Sequence, residues 1–314
     1  METEKTINVA SVPQRSPFRY PGGKTWLVPY ARLWLRSRPK PVQELIEPFA
    51  GGAIIGLTAA FEGLTKKVFL IEKDPDVASV WRTILNGHGE WLAERITTFD
   101  VTFGSVKREL NRPPRNLRER AFATILRNRV QRGGILAPGA GLMRSGENGK
   151  GLRSRWYPET LRRRILDIVA TRDRIRFIQG DGIECIQMNR NRKNLAFFID
   201  PPYTVAGRRL YRYPNIDHEK LFAIAQRLAG DFLMTYDDSS EIRRLVIQFR
   251  FDCETVAMKN THNSKMTELL IGRSLAWLRQ PQPLRRAFHG SLFQTAPESQ
   301  DNHQSNLRLL AQGL

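Results

Sequence analysis

Leu195-Ala196-Phe197-Phe198-Ile199 is an unbroken apolar run that stops at Asp200-Pro201-Pro202-Tyr203. Five consecutive apolar residues do not suit a strand with one wet face. They read as a parallel strand buried on both sides, which needs helices above and below the sheet. The fold class this points to is α/β. The next four residues put a carboxylate, two rigid prolines and an aromatic ring at the strand's C-terminal end, where open α/β sheets bind ligands. Prolines fix φ and remove two N–H donors, so their carbonyls stand out as acceptors. Asp200 and the Pro201 or Pro202 carbonyl can accept both hydrogens of an exocyclic NH₂ while Tyr203 stacks on its ring. Alone, the tetrapeptide also reads as a Pro-rich loop with a capping Asp.

The flanking sequence repeats the strand-then-helix pattern in two blocks. Val42–Glu47 and Val68–Glu72 read as strands, with helices at Ile54–Glu62 and Pro75–Leu85, the second opened by proline in its first turn. Further strands are expected at Ile175–Gln179, Leu195–Ile199, Phe232–Tyr236, Cys253–Met258 and Thr267–Ile271. Helices are expected at Ile183–Met188, Asp217–Leu228 and Glu241–Phe249. Such alternation predicts a Rossmann-like, doubly wound, mostly parallel sheet.

Between the blocks the composition changes. Residues 77–165 hold 16 Arg and 2 Lys against 7 acids, a net +11 out of the chain's +19. Helical patterns at Arg118–Val130 and Pro158–Val169 surround a glycine-rich stretch at Gly133–Gly151. A solvated helix face is the plain reading of such charge, but an excess this one-sided fits a polyanion partner better, nucleic acid ahead of membrane. The expected organisation is a loose N-terminus (1–15), a core domain in two pieces (16–76 and 166–278), an inserted helical basic domain (77–165) and a disordered tail (279–314). Cys185 and Cys253 lie far apart, with no Cys/His cluster, so neither a metal site nor a disulfide framework is expected. No 18-residue apolar run and no basic-then-apolar leader is present, which predicts a soluble, cytoplasmic protein.

Other strand ends carry candidate ligand groups. Glu47-Pro48-Phe49-Ala50-Gly51-Gly52-Ala53 follows the first strand and opens a helix, so small residues let a ligand approach backbone N–H groups. Many α/β proteins use such a turn merely to turn, and this one fits neither the dinucleotide nor the P-loop pattern. Glu72 ends the second strand about 20 residues later, the offset at which an acid accepts ribose hydroxyls; a surface acid is the plain alternative. Asp74 reads as a helix cap. Asp181 ends the third strand and suits an adenine amino group or a helix cap. Upstream, Phe18-Arg19-Tyr20-Pro21-Gly22-Gly23-Lys24 offers a tight turn, an aromatic ring and a cation, or simply an N-terminal arm.

In this order, these segments resemble the Dam-like (class α) DNA adenine N6-methyltransferase family over about residues 17–275. The resemblance implies S-adenosylmethionine as cofactor, held by Tyr20, Gly22, Gly23, Lys24, Glu47, Pro48, Phe49, Gly51, Gly52, Glu72, Asp181 and Asp200. It implies Asp200, Pro201, Pro202 and Tyr203 as the catalytic set, and a flipped-out adenine of double-stranded DNA as substrate. The basic insertion stands where the family has its target-recognition domain. Leu126-Arg127-Asn128-Arg129 resembles a segment that faces DNA there, which assigns Arg127, Asn128 and Arg129, with nearby Arg132, to DNA. Ala53 replaces a common glycine, and Glu72 replaces the commoner Asp. A monomer is expected. The alternatives are a methyltransferase for RNA adenine or a protein amide, and a non-catalytic DNA-binding protein on the same scaffold.

Overall fold

The computed structural model describes residues 12–19, 23–137, 139–144, 149–203, 212–259 and 265–279. The described strands form one sheet: β1 Glu44–Glu47, β2 Lys67–Glu72, β3 Ile175–Gln179, β4 Leu195–Ile199, β5 Asp231–Asp237, β6 Asp252–Lys259 and β7 Lys265–Gly272. Their order is β3-β2-β1-β4-β5-β7-β6. Strands β1 to β5 run parallel, with Leu45 paired to Val68 on one side and Ala196 on the other. Only β7 is reversed, antiparallel to β5 and β6.

Period-two alternation along β4 explains its all-apolar sequence. Leu195, Phe197 and Ile199 enter one core layer, beneath α8 (Gly182–Met188), α9 (His218–Gln226) and α10 (Ser240–Gln248). Ala196 and Phe198 enter the other, beneath α1 (Val28–Arg36), α2 (Ile54–Phe61) and α3 (Pro75–Thr83). A polar residue on either face would lie in a core, so the strand has none. The bounds of β3 and β4 match expectation. β1 begins two residues later, at Glu44, and β5 to β7 run slightly longer.

The inserted stretch is helical. It contains α4 (Gly89–Thr97), α5 (Phe103–Asn111), α6 (Leu117–Val130) and α7 (Pro158–Thr171). α4 packs on α7 and α6 packs on α3. One apolar layer runs from Leu45, Val68 and Phe198 of the sheet through Val77 and Trp81 to Phe122, Ile125 and Ile165. The expected boundaries at 77 and 165 therefore fall inside helices α3 and α7, both of which share the sheet's core.

Three further differences have simple causes. Helix α1 is not among the elements expected from the sequence, where the arm before the first strand ends at Lys24. It buries Leu33, Trp34 and Leu35, and the Trp34 indole N–H donates to Asp231 Oδ2 at 2.7 Å. Residues 12–15, expected to be loose, are anchored: Val12 is buried, and Arg15 pairs with Glu62 and lies over the Phe61 ring. The helix begun at Pro75 loosens at Ile84–His88, where Gly87 has φ 88°, and α4 continues beyond. No helix among the described residues is long and apolar enough to cross a membrane.

Candidate active site

The strand order reverses between β1 and β4, which are parallel neighbours: β2 and β3 lie to one side, β4 and β5 to the other. Such a switch point opens a crevice at the strands' C-terminal ends. A cavity of about 360 Å³ lies there, lined by Gly23 and Lys24, the turn from Glu47 to Ile54, and Glu72, Asp181, Asp200 and Pro202. Four separate strand ends thus meet at one space.

Backbone geometry shapes the β1 turn. Gly51 has φ 44° and Ala53 φ 51°, both left-handed. The Gly51 N–H donates to Glu72 Oε2 at 2.9 Å, and the Asp74 N–H donates to Glu72 Oε1 at 2.8 Å. Glu72 is thereby held at the cavity wall with lone pairs left on each oxygen. Burial pushes its carboxyl up to about 7, against the pull of those backbone donors. Glu47 Oε2 accepts the Gly56 N–H at 2.7 Å, and burial holds its carboxyl well above the usual range. Asp181 caps α8 through Oδ1, which accepts the Ile183 and Glu184 N–H groups, and its Oδ2 pairs with Lys73 at 2.9 Å, so the structure fills the expected cap role. A side chain at Gly182 would collide with the Pro48 carbonyl and the Phe49 ring, which explains glycine there. Tyr20 and Gly22 lie outside the described residues.

The second half of the site is a buried charge cluster. Lys24 Nζ lies 3.2 Å from Asp200 Oδ1 and 2.9 Å from Glu268 Oε2, with the Tyr203 hydroxyl also bonded to it. The Thr235 hydroxyl donates to Asp200 Oδ1 at 2.8 Å. Both contacts fall on Oδ1, and the described residues supply no hydrogen bond to Oδ2. Burial raises the Asp200 pKa above its ordinary value, with Lys24 and Thr235 opposing. Burial works against the Lys24 charge, but Asp200 and Glu268 outweigh it and hold its pKa high. Burial likewise raises Glu268. The Tyr203 ring stacks on Tyr236 (6.5 Å between centroids, 28° between planes) and lies under Lys24. Tyr203 was expected to stack on the target base; here its ring and hydroxyl are engaged with these neighbours, and Pro202 lines the cavity instead. Glu268, Thr235 and Tyr236 were not singled out from sequence. An acid inside the apolar run Thr267–Ile271 was the available signal for Glu268.

The expected DNA contacts need correction. Asn128 is fully buried: its Oδ1 accepts the Arg19 N–H, and its Nδ2 donates to the Arg19 and Gly134 carbonyls. Arg129 is buried and donates to the Pro17 carbonyl; burial, with Arg164, Arg19 and Arg155 adding repulsion, lowers its pKa to about 10. Arg127 faces Asp76 at 3.6 Å. α6 is enclosed on nearly every side, so these side chains fasten the N-terminal arm and α3. Arg132 alone of the four is exposed. It lines a second, more open cavity of about 930 Å³ with Arg144, Lys150 and Arg153. Gly134, Leu136 and Ala137 line the first cavity, and Arg132, Gly139 and Arg144 line the second.

Strand order and the single reversed strand among those described, β7, define a Rossmann-like, mostly parallel sheet. No protein-family model matches the chain, and no curated protein matches it. Among solved structures it is similar to an rRNA methyltransferase from Streptomyces viridochromogenes, at 11% identity and TM-score 0.40 over 88% of this chain and 97% of that one. It is also similar to a protein described as an RNA methyltransferase from Pyrococcus horikoshii, at 10% identity and TM-score 0.36 over 87% and 91%. A precorrin-6y C5,15-methyltransferase from Geobacter metallireducens follows at 8% identity and TM-score 0.34 over 78% and 85%. These likenesses are remote, and the fold assignment stands on the topology.

Proposed function

We propose that the chain is an S-adenosylmethionine-dependent methyltransferase that modifies the N6 amino group of adenine in double-stranded DNA. One observation carries this reading. Asp200 stands at the C-terminal end of β4 with Oδ1 tied to Lys24 and Thr235 and no hydrogen bond to Oδ2 from the described residues, and it lines a cavity that also holds the Gly51–Glu72 cradle.

The residues suit the cofactor. Glu72 can accept ribose hydroxyls, Asp181 an adenine amino group, and the turn at Gly51 and Gly52 gives close access to backbone. The volume lies within the range usual for small-molecule pockets. When bound, S-adenosylmethionine supplies a methyl group on a sulfonium and leaves as the neutral thioether.

The chain's own residues act on the acceptor. An adenine amino group is a poor nucleophile because its lone pair is delocalised. Asp200 Oδ2 and the Pro201 carbonyl accept its two hydrogens, which favours a pyramidal nitrogen and relieves the positive charge that grows as the N–C bond forms. The nitrogen then loses one proton, to Asp200 or to water. The target must leave the base stack to reach this depth, and phosphate contacts from the basic face offset part of that cost.

RNA adenine is the second reading. With Asn128 and Arg129 buried, the polyanion contacts left are exposed arginines and lysines, and phosphate contacts do not separate DNA from RNA. Incubation with labelled S-adenosylmethionine and, separately, duplex DNA, structured RNA and protein extract tests the choice. Label in DNA as N6-methyladenine supports the proposal; label confined to RNA or protein overturns its substrate.

A further inference from the structure

We infer that Glu268 is a positioning residue that balances Lys24, so that the cluster around Asp200 keeps one net negative charge facing the amino group that is methylated. This rests on the methyltransferase reading above.

Lys24 poses a difficulty for that reading. A lysine 3.2 Å from Asp200 Oδ1 largely cancels the field of the one carboxylate that should stabilise a nascent cation. Glu268 resolves it. Its Oε2 lies 2.9 Å from the same Nζ, and the two side chains are 3% and 5% exposed. The remaining groups around the cluster are Glu47 on β1, Tyr203 after β4, and Thr235 and Tyr236 on β5. Burial raises the Glu47 carboxyl well above the usual range and the Tyr236 phenol well above its ordinary value, so burial favours the neutral form of both. His218, bonded to the Tyr236 hydroxyl, is also held towards its neutral form by burial. The geometry sets one ammonium, Lys24, against two carboxylates, Asp200 and Glu268.

The position is costly. Glu268 precedes Leu269, Leu270 and Ile271, which are fully buried in β7. A second carboxylate there loses its hydration, and an apolar side chain would serve the strand better. Its geometry is spent on Lys24 and, through Lys24, on Asp200.

Glu268→Gln keeps the shape and removes the charge. The kcat for methyl transfer should fall about tenfold or more, as for other lost transition-state charge stabilisation, with KM for the nucleic acid little changed. Its acid limb should move to lower pH, because Asp200 then has Lys24 to itself. A purely structural lesion would not lower the plateau and shift the limb in this way. Calorimetry adds a reading independent of turnover: the variant should lose affinity for cationic S-adenosylmethionine relative to neutral S-adenosylhomocysteine. Glu268→Asp, which restores the charge, should recover most of the loss and covers the case in which Glu268→Gln does not fold. An unchanged plateau, limb and affinity ratio in folded Glu268→Gln overturns the inference, as does a folded Glu268→Asp as impaired as Glu268→Gln. Wild-type protein that binds neither compound overturns the underlying reading instead, and the inference with it.

Discussion

Asn128 and Arg19, 109 residues apart, exchange two hydrogen bonds: Asn128 Oδ1 accepts the Arg19 N–H at 2.8 Å, and Asn128 Nδ2 donates to the Arg19 carbonyl at 2.9 Å. An amide thus pairs with backbone much as a neighbouring strand would. It fastens helix α6 of the basic insertion to the segment that leads into Lys24, and so to the charge cluster at Asp200. The Gly134 carbonyl takes the second amide hydrogen at 2.8 Å, joining the lining of the first cavity to the same point.

Asn128→Ala would strand a buried N–H and weaken two carbonyls. We expect a loss of about 3 kcal/mol in stability, the scale of a few buried hydrogen bonds removed from one side. Urea unfolding measures it. Binding to nucleic acid should keep its salt dependence, because Asn128 touches no phosphate; a shallower salt slope would restore the sequence-based assignment.

Arg144 and Lys150 should behave in the opposite way. Both are exposed at the second cavity beside Arg132. Arg144→Glu with Lys150→Glu should leave stability nearly unchanged and reduce the slope of log affinity against log salt by about 1 per lost phosphate contact. Unchanged binding across a salt titration would move the polyanion surface elsewhere.

Glu72 predicts a pH dependence. Its carboxyl titrates at about 7 in the folded chain, above its value of 4.5 when unperturbed. The folded state therefore keeps a proton that the unfolded chain has already released, and this group's contribution to stability falls as pH rises from 4.5 towards 7. Ribose hydroxyls donate best to the ionised form, so cofactor affinity should rise over the same interval. Calorimetry across that range should show the trend in wild type and its loss in Glu72→Gln. A flat wild-type profile would remove Glu72 from the ribose.

What the sequence disclosed was the part set by local pattern. Leu195–Ile199 was bounded correctly because its apolar run ends at Asp200, and Ile175–Gln179 because it stops at the Gly180-Asp181-Gly182 turn, where the chain leaves the sheet. The gathering of Lys24, Glu72, Asp181 and Asp200 round one cavity followed from their places at strand ends and before the first strand. Arg127–Asn128–Arg129 could not be oriented that way. Polar residues on a helix usually face water, and only the tertiary enclosure of α6 shows that two of these face carbonyls. Glu268 was passed over for a related reason: its partner Lys24 is 244 residues distant.

Ala53 carries a local strain. With φ 51° and ψ 35° it adopts a conformation that glycine enters freely and alanine at a cost. Ala53→Gly should stabilise the chain by about 0.5–1 kcal/mol, the left-handed penalty less glycine's added chain entropy. A denaturation midpoint lower than wild type would mean that the Ala53 methyl, buried in the core, contributes more than the strain it brings.

The central claim is that Asp200 receives the amino group of an adenine. Its most direct test is transfer of labelled methyl from S-adenosylmethionine to duplex DNA by wild type and by Asp200→Ala, followed by nucleoside analysis. The account predicts N6-methyladenine from wild type and none from a folded, cofactor-binding Asp200→Ala. Full activity in the variant, or a wild-type product other than a methylated adenine, would contradict it.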